Sequence, residues 1–100
     1  IDANAEVDKA IELCEFACSI AQDDIHSISE VSNGITCSEQ RRALGVVSSI
    51  SPFNFPIMVP HWTVLNAIMM GNAMILKPSE MTPISAQKMA KLFKEAGFPD

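Results

Sequence analysis

Polar and apolar positions divide the chain into a helical first fifth, a polar and irregular stretch, and a strongly apolar second half. Between Asp2 and Gln22, Val7, Ile11, Cys14, Cys18 and Ala21 recur at steps of four, three, four and three. That spacing predicts a helix with these side chains on one face. Leu13, Phe16, Ala17 and Ile20 widen the face, while Glu6, Asp8, Lys9, Glu12 and Glu15 fall largely away from it. Asp2 or Asn4 suits the N-cap, and acidic first turns suit the helix dipole. Cys14 and Cys18 form an i, i+4 pair, but no His or further Cys nearby completes a metal set. Small thiols on a core face are the plainer reading.

From Asp23 to Ser38 the chain is polar, with Asn33-Gly34 between the β-like pieces Ile28 to Val31 and Ile35 to Cys37. Asn-Gly in that setting predicts a hairpin. His26 reads as an exposed loop residue. Arg41 and Arg42 could grip an anion, but surface ion pairing is the more ordinary use of such a pair.

The stretch Leu44 to Glu80 organises the rest. Leu44, Val46, Val47 and Ile50 form one β-like run ending at Ser51-Pro52, and Ala73 to Leu76 form another ending at Lys77-Pro78. Between them, Pro56 to Met70 has the length of about four helical turns and closes with Gly71-Asn72. Strand, helix, strand in this compass is a βαβ unit, whose ligands are held outside the carboxyl ends of the strands. Gly45 suggests a close backbone approach. Pro56 and Pro60 fit the opening turns of the helix. Ile57, Met58, Val64, Leu65, Ile68 and Met69 make it apolar almost all round, as a helix buried on a sheet requires, with Met as gap filler. Thr82-Pro83 then starts a second helix, with Thr82 as cap. Its apolar period runs through Ile84, Ala86, Met89, Leu92 and Phe93, and Gly97 closes it. Lys88, Lys91 and Lys94 occupy its outer face. The β-α-β-α order defines an α/β fold, a parallel sheet with flanking helices.

Bulk composition narrows the function. One hundred residues make at most one domain or a part of one, and the ending Gly97-Phe98-Pro99-Asp100 reads as cut inside a helix-to-strand loop. With 48% hydrophobic residues the chain can supply a core. A net charge of −5 with only 7 basic residues argues against nucleic acid as a partner. Three unevenly spaced cysteines do not make a disulfide framework, so a reducing, intracellular setting is expected. No signal peptide is visible, and Ile57 to Met70, broken by Pro60, His61, Thr63 and Asn66, is too short for the roughly 20 residues of a membrane span. No membrane partner is expected.

Candidate chemistry gathers at the two strand ends. Asn54 lies just past the first strand, between Phe53 and Phe55 and ahead of a Pro-started helix. Its carboxamide N–H can donate to a developing oxyanion, worth ~3 kcal/mol in a dry site. It can equally form an Asx turn or cap the helix. Lys77 and Glu80 flank Pro78-Ser79 beyond the second strand. They can pair with each other at the surface, or bind the vicinal hydroxyls of a ribose as donor and acceptor. No Gly-x-Gly-x-x-Gly follows the first strand, so any dinucleotide is held without the usual pyrophosphate cradle.

Pro52-Phe53-Asn54-Phe55-Pro56, Gly71-Asn72 and Lys77-Pro78-Ser79-Glu80, in one register, resemble the aldehyde dehydrogenase superfamily. The likeness runs from about Arg42 to Asp100 and includes the Glu95-Ala96-Gly97-Phe98-Pro99 ending. Phe53 in place of the commoner Trp, with Glu15-Phe16-Ala17-Cys18-Ser19, resembles the CoA-acylating methylmalonate-semialdehyde branch. The resemblance implies the N-terminal part of a Rossmann-like NAD-binding domain within a larger enzyme, with residues 1–22 as an N-terminal helix, 23–43 as a β-arm used in oligomerisation, and 44–100 as its first β-α-β-α part. It implies Asn54 as the oxyanion donor. Ser51, Pro52 and Phe53 would line the nicotinamide side of NAD, and Lys77, Ser79, Glu80 and Met81 the ribose side, with Lys77 and Glu80 on the adenosine ribose. Met81 stands where relatives often carry a polar or basic residue. The family's nucleophile is a downstream cysteine, and none of Cys14, Cys18 or Cys37 lies in such a context, so these residues alone are expected to be inactive. The implied reaction is oxidation of a semialdehyde through a cysteine thioester, with CoA as acyl acceptor. Alternatives are a hydrolytic NAD-dependent aldehyde or succinate-semialdehyde dehydrogenase, and a non-catalytic relative. A homo-oligomer, dimer or tetramer, is implied, in the cytoplasm or, in a eukaryote, the mitochondrion.

Overall fold

The structure, a computed structural model, describes residues 2–20, 22 and 26–99. Its elements run α1 (Asp2–Ile20), β1 (His26–Ser32), β2 (Ile35–Gln40), β3 (Val46–Ile50), α2 (Met58–Met69), β4 (Ala73–Lys77) and α3 (Pro83–Glu95). β3 and β4 pair in parallel, Val46 opposite Ala73 through Ile50 opposite Lys77. β1 and β2 form a separate antiparallel hairpin turned by Asn33-Gly34, with Gly34 at φ +75°. Every residue of the hairpin strands is exposed. The Cα radius of gyration, 17.2 Å, exceeds the ~13 Å of a compact chain of this length. An arm standing clear of the body accounts for the difference.

The period-two alternation of a pleated strand divides the parallel pair into two faces. Val47, Ser49, Met74 and Leu76 are half-buried toward α2, and the Thr63 hydroxyl donates to Ser49 Oγ at 2.8 Å across that contact. Val46, Ile50 and Ile75 lie on the other face and are 61–80% exposed. α2 carries the buried Pro60, His61, Val64 and Leu65. α3 buries Ala86 and Met89, and the Phe93 ring meets the His61 ring at 6.0 Å. An apolar groove of about 820 Å³ runs between α2, β4 and α3, lined by Val64, Ile68, Leu76, Ala86 and Met89 among others.

Four expectations are corrected. The packed stripe of α1 is Glu6, Ala10, Leu13, Ala17 and Ile20, one residue round from the expected Val7, Ile11, Cys14, Cys18 and Ala21. Ala21 lies outside the described residues, while Val7, Ile11 and Cys18 are exposed and Cys14 is half-buried. Small side chains permit the close approach of α1 to α2, so Ala10 and Ala17 are the residues buried there. Glu6 turns inward with them. Gly45 is required for its backbone conformation, φ +109°, and not for close packing, since a Cβ there would meet nothing within 4 Å. Thr82 does hold the N-cap position of α3, but its hydroxyl makes no cap bond and is buried without a partner among the described residues. His26, read as a loop residue, opens β1 opposite Gln40.

Both helix ends follow one pattern. After α2, the Asn72 N–H donates to the Ala67 carbonyl at 3.0 Å and the Gly71 N–H to that of Ile68 at 2.9 Å, with Gly71 at φ +81°. After α3, Phe98 and Gly97 repeat this with Phe93 and Lys94, and the Phe93 and Phe98 rings close at 5.3 Å. Each is a Schellman ending with glycine at C′, the second carrying its usual hydrophobic clasp.

Asn72 then ties the helix end to the sheet. Its Oδ1 accepts from the Leu44 and Gly45 N–H groups at 2.7 and 3.1 Å, and its Nδ2 donates to the Ala67 carbonyl at 3.0 Å. At about 1 kcal/mol or less for each such partly exposed bond, Asn72→Ala is expected to cost roughly 1–2 kcal/mol. A lower urea midpoint at unchanged m-value would show this; an unchanged midpoint would mean that water replaces all three bonds.

Candidate functional site at the carboxyl ends of β3 and β4

The parallel register brings the two chemical segments side by side. Ile50 and Lys77 end their strands opposite each other, and the Ser51 N–H donates to the Lys77 carbonyl at 3.1 Å. Ser51, Pro52 and Phe53 therefore leave the sheet beside Lys77, Pro78 and Ser79. Ser51 is buried, and its hydroxyl has no hydrogen-bond partner among the described residues. Pro52 and Phe53 are exposed.

On the β4 side, Lys77 Nζ lies 3.2 Å from Glu80 Oε2, and both side chains are largely in solvent. The bland reading of this pair, a surface salt bridge, is what the protein alone adopts, and such a pair adds little stability. The turn between them is rigid. Ser79 is buried, and its Oγ accepts from the Met81 N–H at 3.2 Å, an ST turn that fixes the segment. Met81 is 67% exposed. The Glu80 carboxyl is held below the ordinary glutamate range, first by its own backbone N–H and then by hydrogen bonding and attraction to Lys77.

Asn54 sits in the exposed bend between β3 and α2. As a cap it would accept from the first N–H groups of α2, but it does not. Ile57 holds the N-cap position and has no side-chain acceptor. Glu6 of α1 supplies one: its Oε1 accepts from the Ile57 N–H at 2.7 Å and the Met58 N–H at 3.0 Å. Among the described residues, the Asn54 carboxamide has no hydrogen-bond partner.

Two residues here were not assigned a role by pattern. Glu6 looks like one more solvent-facing acid on α1, and its partners lie 51 and 52 residues away. The signal was indirect, a helix whose N-cap, Ile57, cannot cap. His61 is buried in the first turns of α2, where its Nδ1–H donates to the Ile57 carbonyl at 2.7 Å. A carbonyl can only accept, so that bond places a proton on Nδ1.

The cysteines lie elsewhere. Cys14 and Cys18 are on α1 and Cys37 is on the exposed hairpin. Burial pushes the Cys14 thiol up, with Cys18 and Glu15 adding to the effect, which is opposite to the activation of a nucleophile. No group of three metal-ligating side chains occurs among the described residues. Arg41 pairs with Glu39 at 3.5 Å, and Arg42 donates to Gln40 at 3.3 Å, in keeping with surface roles.

A parallel βαβ unit with its polar groups at the strand ends is the architecture of a nucleotide-binding α/β domain. The sequence model of the aldehyde dehydrogenase family matches residues 1–100, and the chain belongs to that family. It is 45% identical over 100 residues to a malonate-semialdehyde dehydrogenase of Lacticaseibacillus casei, covering 99% of this chain and 20% of that protein. A provisionally named methylmalonate-semialdehyde dehydrogenase of Sinorhizobium meliloti, solved with NAD, superposes at TM-score 0.92. It is 39% identical, over 98% of this chain and 20% of that one. An aldehyde dehydrogenase of Bacillus cereus, also solved with NAD, gives TM-score 0.89 at 32% identity, over 96% of this chain and 20% of that one. The chain thus spans about a fifth of the length of the relatives it matches. Its α/β elements are those of the NAD-binding region of the aldehyde dehydrogenase fold.

The Glu80 environment makes a pH prediction. A depressed carboxyl pKa contributes stability above the unfolded value, and that contribution disappears as pH falls through the lower folded value. A carbon-detected NMR titration should find Glu80 below the ordinary range. Lys77→Ala should raise it only part of the way, because the largest cause is the backbone N–H of Glu80 itself. Full return to the ordinary value would reverse that order of causes.

Proposed function

We propose that this chain forms part of the NAD site and supplies one catalytic amide of an NAD-dependent semialdehyde dehydrogenase. The observation that carries the reading is the pairing of the two strand ends through Ser51 and Lys77, with the unengaged Asn54 carboxamide three residues beyond Ser51. These residues fit a dinucleotide. Lys77 and Glu80 already stand within hydrogen-bonding distance of each other, donor beside acceptor, and can open to take the two hydroxyls of a ribose. The buried Ser51 hydroxyl, beside them, has no partner among the described residues. Pro52 and Phe53 offer an apolar wall toward the nicotinamide, and Ser79 and Met81 hold the ribose-side turn. NAD, when bound, accepts hydride from the carbon being oxidised.

The chain's own contribution to the chemistry is the Asn54 N–H. When a cysteine thiolate of the whole protein adds to the aldehyde, the carbonyl oxygen becomes an oxyanion. A fixed carboxamide donor lowers the energy of that charge more than that of the starting carbonyl, which is what speeds the step. The same donor serves when the thioester passes its acyl group on. The malonate- and methylmalonate-semialdehyde names of the relatives support a semialdehyde substrate. CoA as acceptor rests on the resemblance of Phe53 and of Glu15-Phe16-Ala17-Cys18-Ser19 to the acylating branch. The whole protein is read as a homo-oligomer, dimer or tetramer, in which the exposed β1–β2 arm meets another copy. An intracellular location, cytoplasmic or, in a eukaryote, mitochondrial, is part of this reading, supported by three cysteines too unevenly spaced for a disulfide framework.

In the full-length protein, Lys77→Ala should weaken NAD binding by roughly 1–3 kcal/mol, measured by calorimetry. Unchanged affinity would remove Lys77 from the ribose. Asn54→Ala should lower turnover by about 10²-fold with NAD affinity intact; a change confined to NAD affinity would argue against an oxyanion role. NADH formation from methylmalonate semialdehyde should depend on CoA and leave a thioester. Formation indifferent to CoA would favour the hydrolytic branch.

A further inference from the structure

The N-terminal N–H groups of a helix need acceptors, and the usual source is a short polar side chain at the N-cap bonding two or three residues ahead. Before α2 the only such side chain within that reach is Asn54, three residues ahead of Ile57. Its Oδ1 is the natural local acceptor for the Ile57 N–H. An asparagine held that way has its carboxamide fixed against the helix end, and its N–H₂ cannot turn freely to a substrate. In this protein that position is already filled. Glu6 reaches over from α1, part-buried, and takes both the Ile57 and Met58 N–H groups on one oxygen. A carboxylate is the stronger acceptor and is further favoured by the positive end of the helix dipole.

We propose that Glu6 is a positioning residue, which caps α2 from a distance and so keeps the Asn54 carboxamide disengaged and available. This rests on the reading of Asn54 as oxyanion donor. It assigns to α1 a task beyond packing. The Glu6 contact also explains why the packed stripe of α1 lies one residue round from its bulkiest apolar face, since Ala10 and Ala17 continue the line of Glu6.

The test is a double-mutant cycle in the full-length protein. Glu6→Ala should lower kcat roughly 10- to 100-fold, the scale for misplacing a reacting group, with NAD affinity unchanged. In an Asn54→Ala background the same substitution should cost no more than about twofold, because the two act through one group. Glu6→Gln keeps an oxygen able to accept both bonds and should retain most of the activity. An equal loss in both backgrounds would make Glu6 a general structural support and overturn the proposal, as would a kcat unaffected by Glu6→Ala. Hydrogen exchange at Ile57 supplies a readout independent of turnover. Protection should survive Glu6→Ala, when Asn54 takes over as cap, and be lost in the Glu6→Ala, Asn54→Ala double variant. If the wild-type protein oxidises no aldehyde, the activity reading fails, and the exchange comparison alone decides whether Glu6 displaces Asn54. Loss of protection in Glu6→Ala alone would show that Asn54 is no competitor, and would overturn the proposal.

Discussion

The register between β3 and β4 is the constraint on which the site depends. Two parallel strands cannot be joined by a tight turn, so their alignment is set by whatever fixes the two ends of the crossover helix. At the far end this is Asn72, whose side chain bonds Leu44, Gly45 and Ala67 at once while Ala73 donates to the Gly45 carbonyl. With Val46 opposite Ala73, five residues of pairing bring Ile50 opposite Lys77. A slip of one residue in either strand would turn its inward side chains, those of Val47 or of Leu76, away from α2 and would separate Ser51 from Lys77. The chemistry at the carboxyl ends thus depends on an amide side chain at the opposite end of the strands.

The near end of the crossover is fixed differently. The bend 53–55 lacks regular backbone pairing of its own, and α2 begins behind it without a local cap. What stops this end from fraying is the Glu6 carboxylate from a helix the sequence places first. Charge and dipole act together there, since an acid at a helix N-terminus gains from the dipole as well as from two N–H donors. α1 and α2 are consequently held by a polar clasp at one end and by small-residue packing, Ala10 and Ala17, along their length.

Much of this was legible in the residues. Alternation and apolar runs located β3, α2 and β4, Asn33-Gly34 located the hairpin turn, and Gly71 and Gly97 ended their helices, because these are local preferences acting over three or four residues. The short motifs at the strand ends pointed to the candidate site for the same reason. Glu6 was not legible, because an inward-facing and an outward-facing acid look alike when the partner is a backbone N–H 51 residues away. The face of α1 was misread by one residue for a related cause. Hydrophobicity ranked Val7 and Ile11 above Ala10, whereas the approach of a second helix selected the smaller side chain. Gly45 showed that something special happens at its position, but the demand was on φ and not on space. The free Ser51 hydroxyl and the Lys77–Glu80 pairing are properties of three-dimensional neighbours, which no spacing rule reaches.

Among the described residues the buried apolar set is small: Ala10, Ala17, Val64, Leu65, Ala86 and Met89, with Pro60 the largest side chain fully enclosed. Parallel strands are ordinarily covered on both faces, and Val46, Ile50 and Ile75 stand open in a chain that spans about a fifth of its relatives' length. Apolar contacts constrain geometry weakly, because they are non-directional and tolerate sliding. Directional bonds must then hold the positions that matter: Asn72 at one end of α2, Glu6 at the other, and the Ser51–Lys77 bond across the strand ends. Each involves a backbone group of a segment adjoining the site, and each fixes an angle as well as a distance. Sequence change in the apolar faces of this region should therefore act first on stability. Change in these few polar groups should act on the relative placement of Asn54, Lys77 and Glu80 before the fold itself is lost.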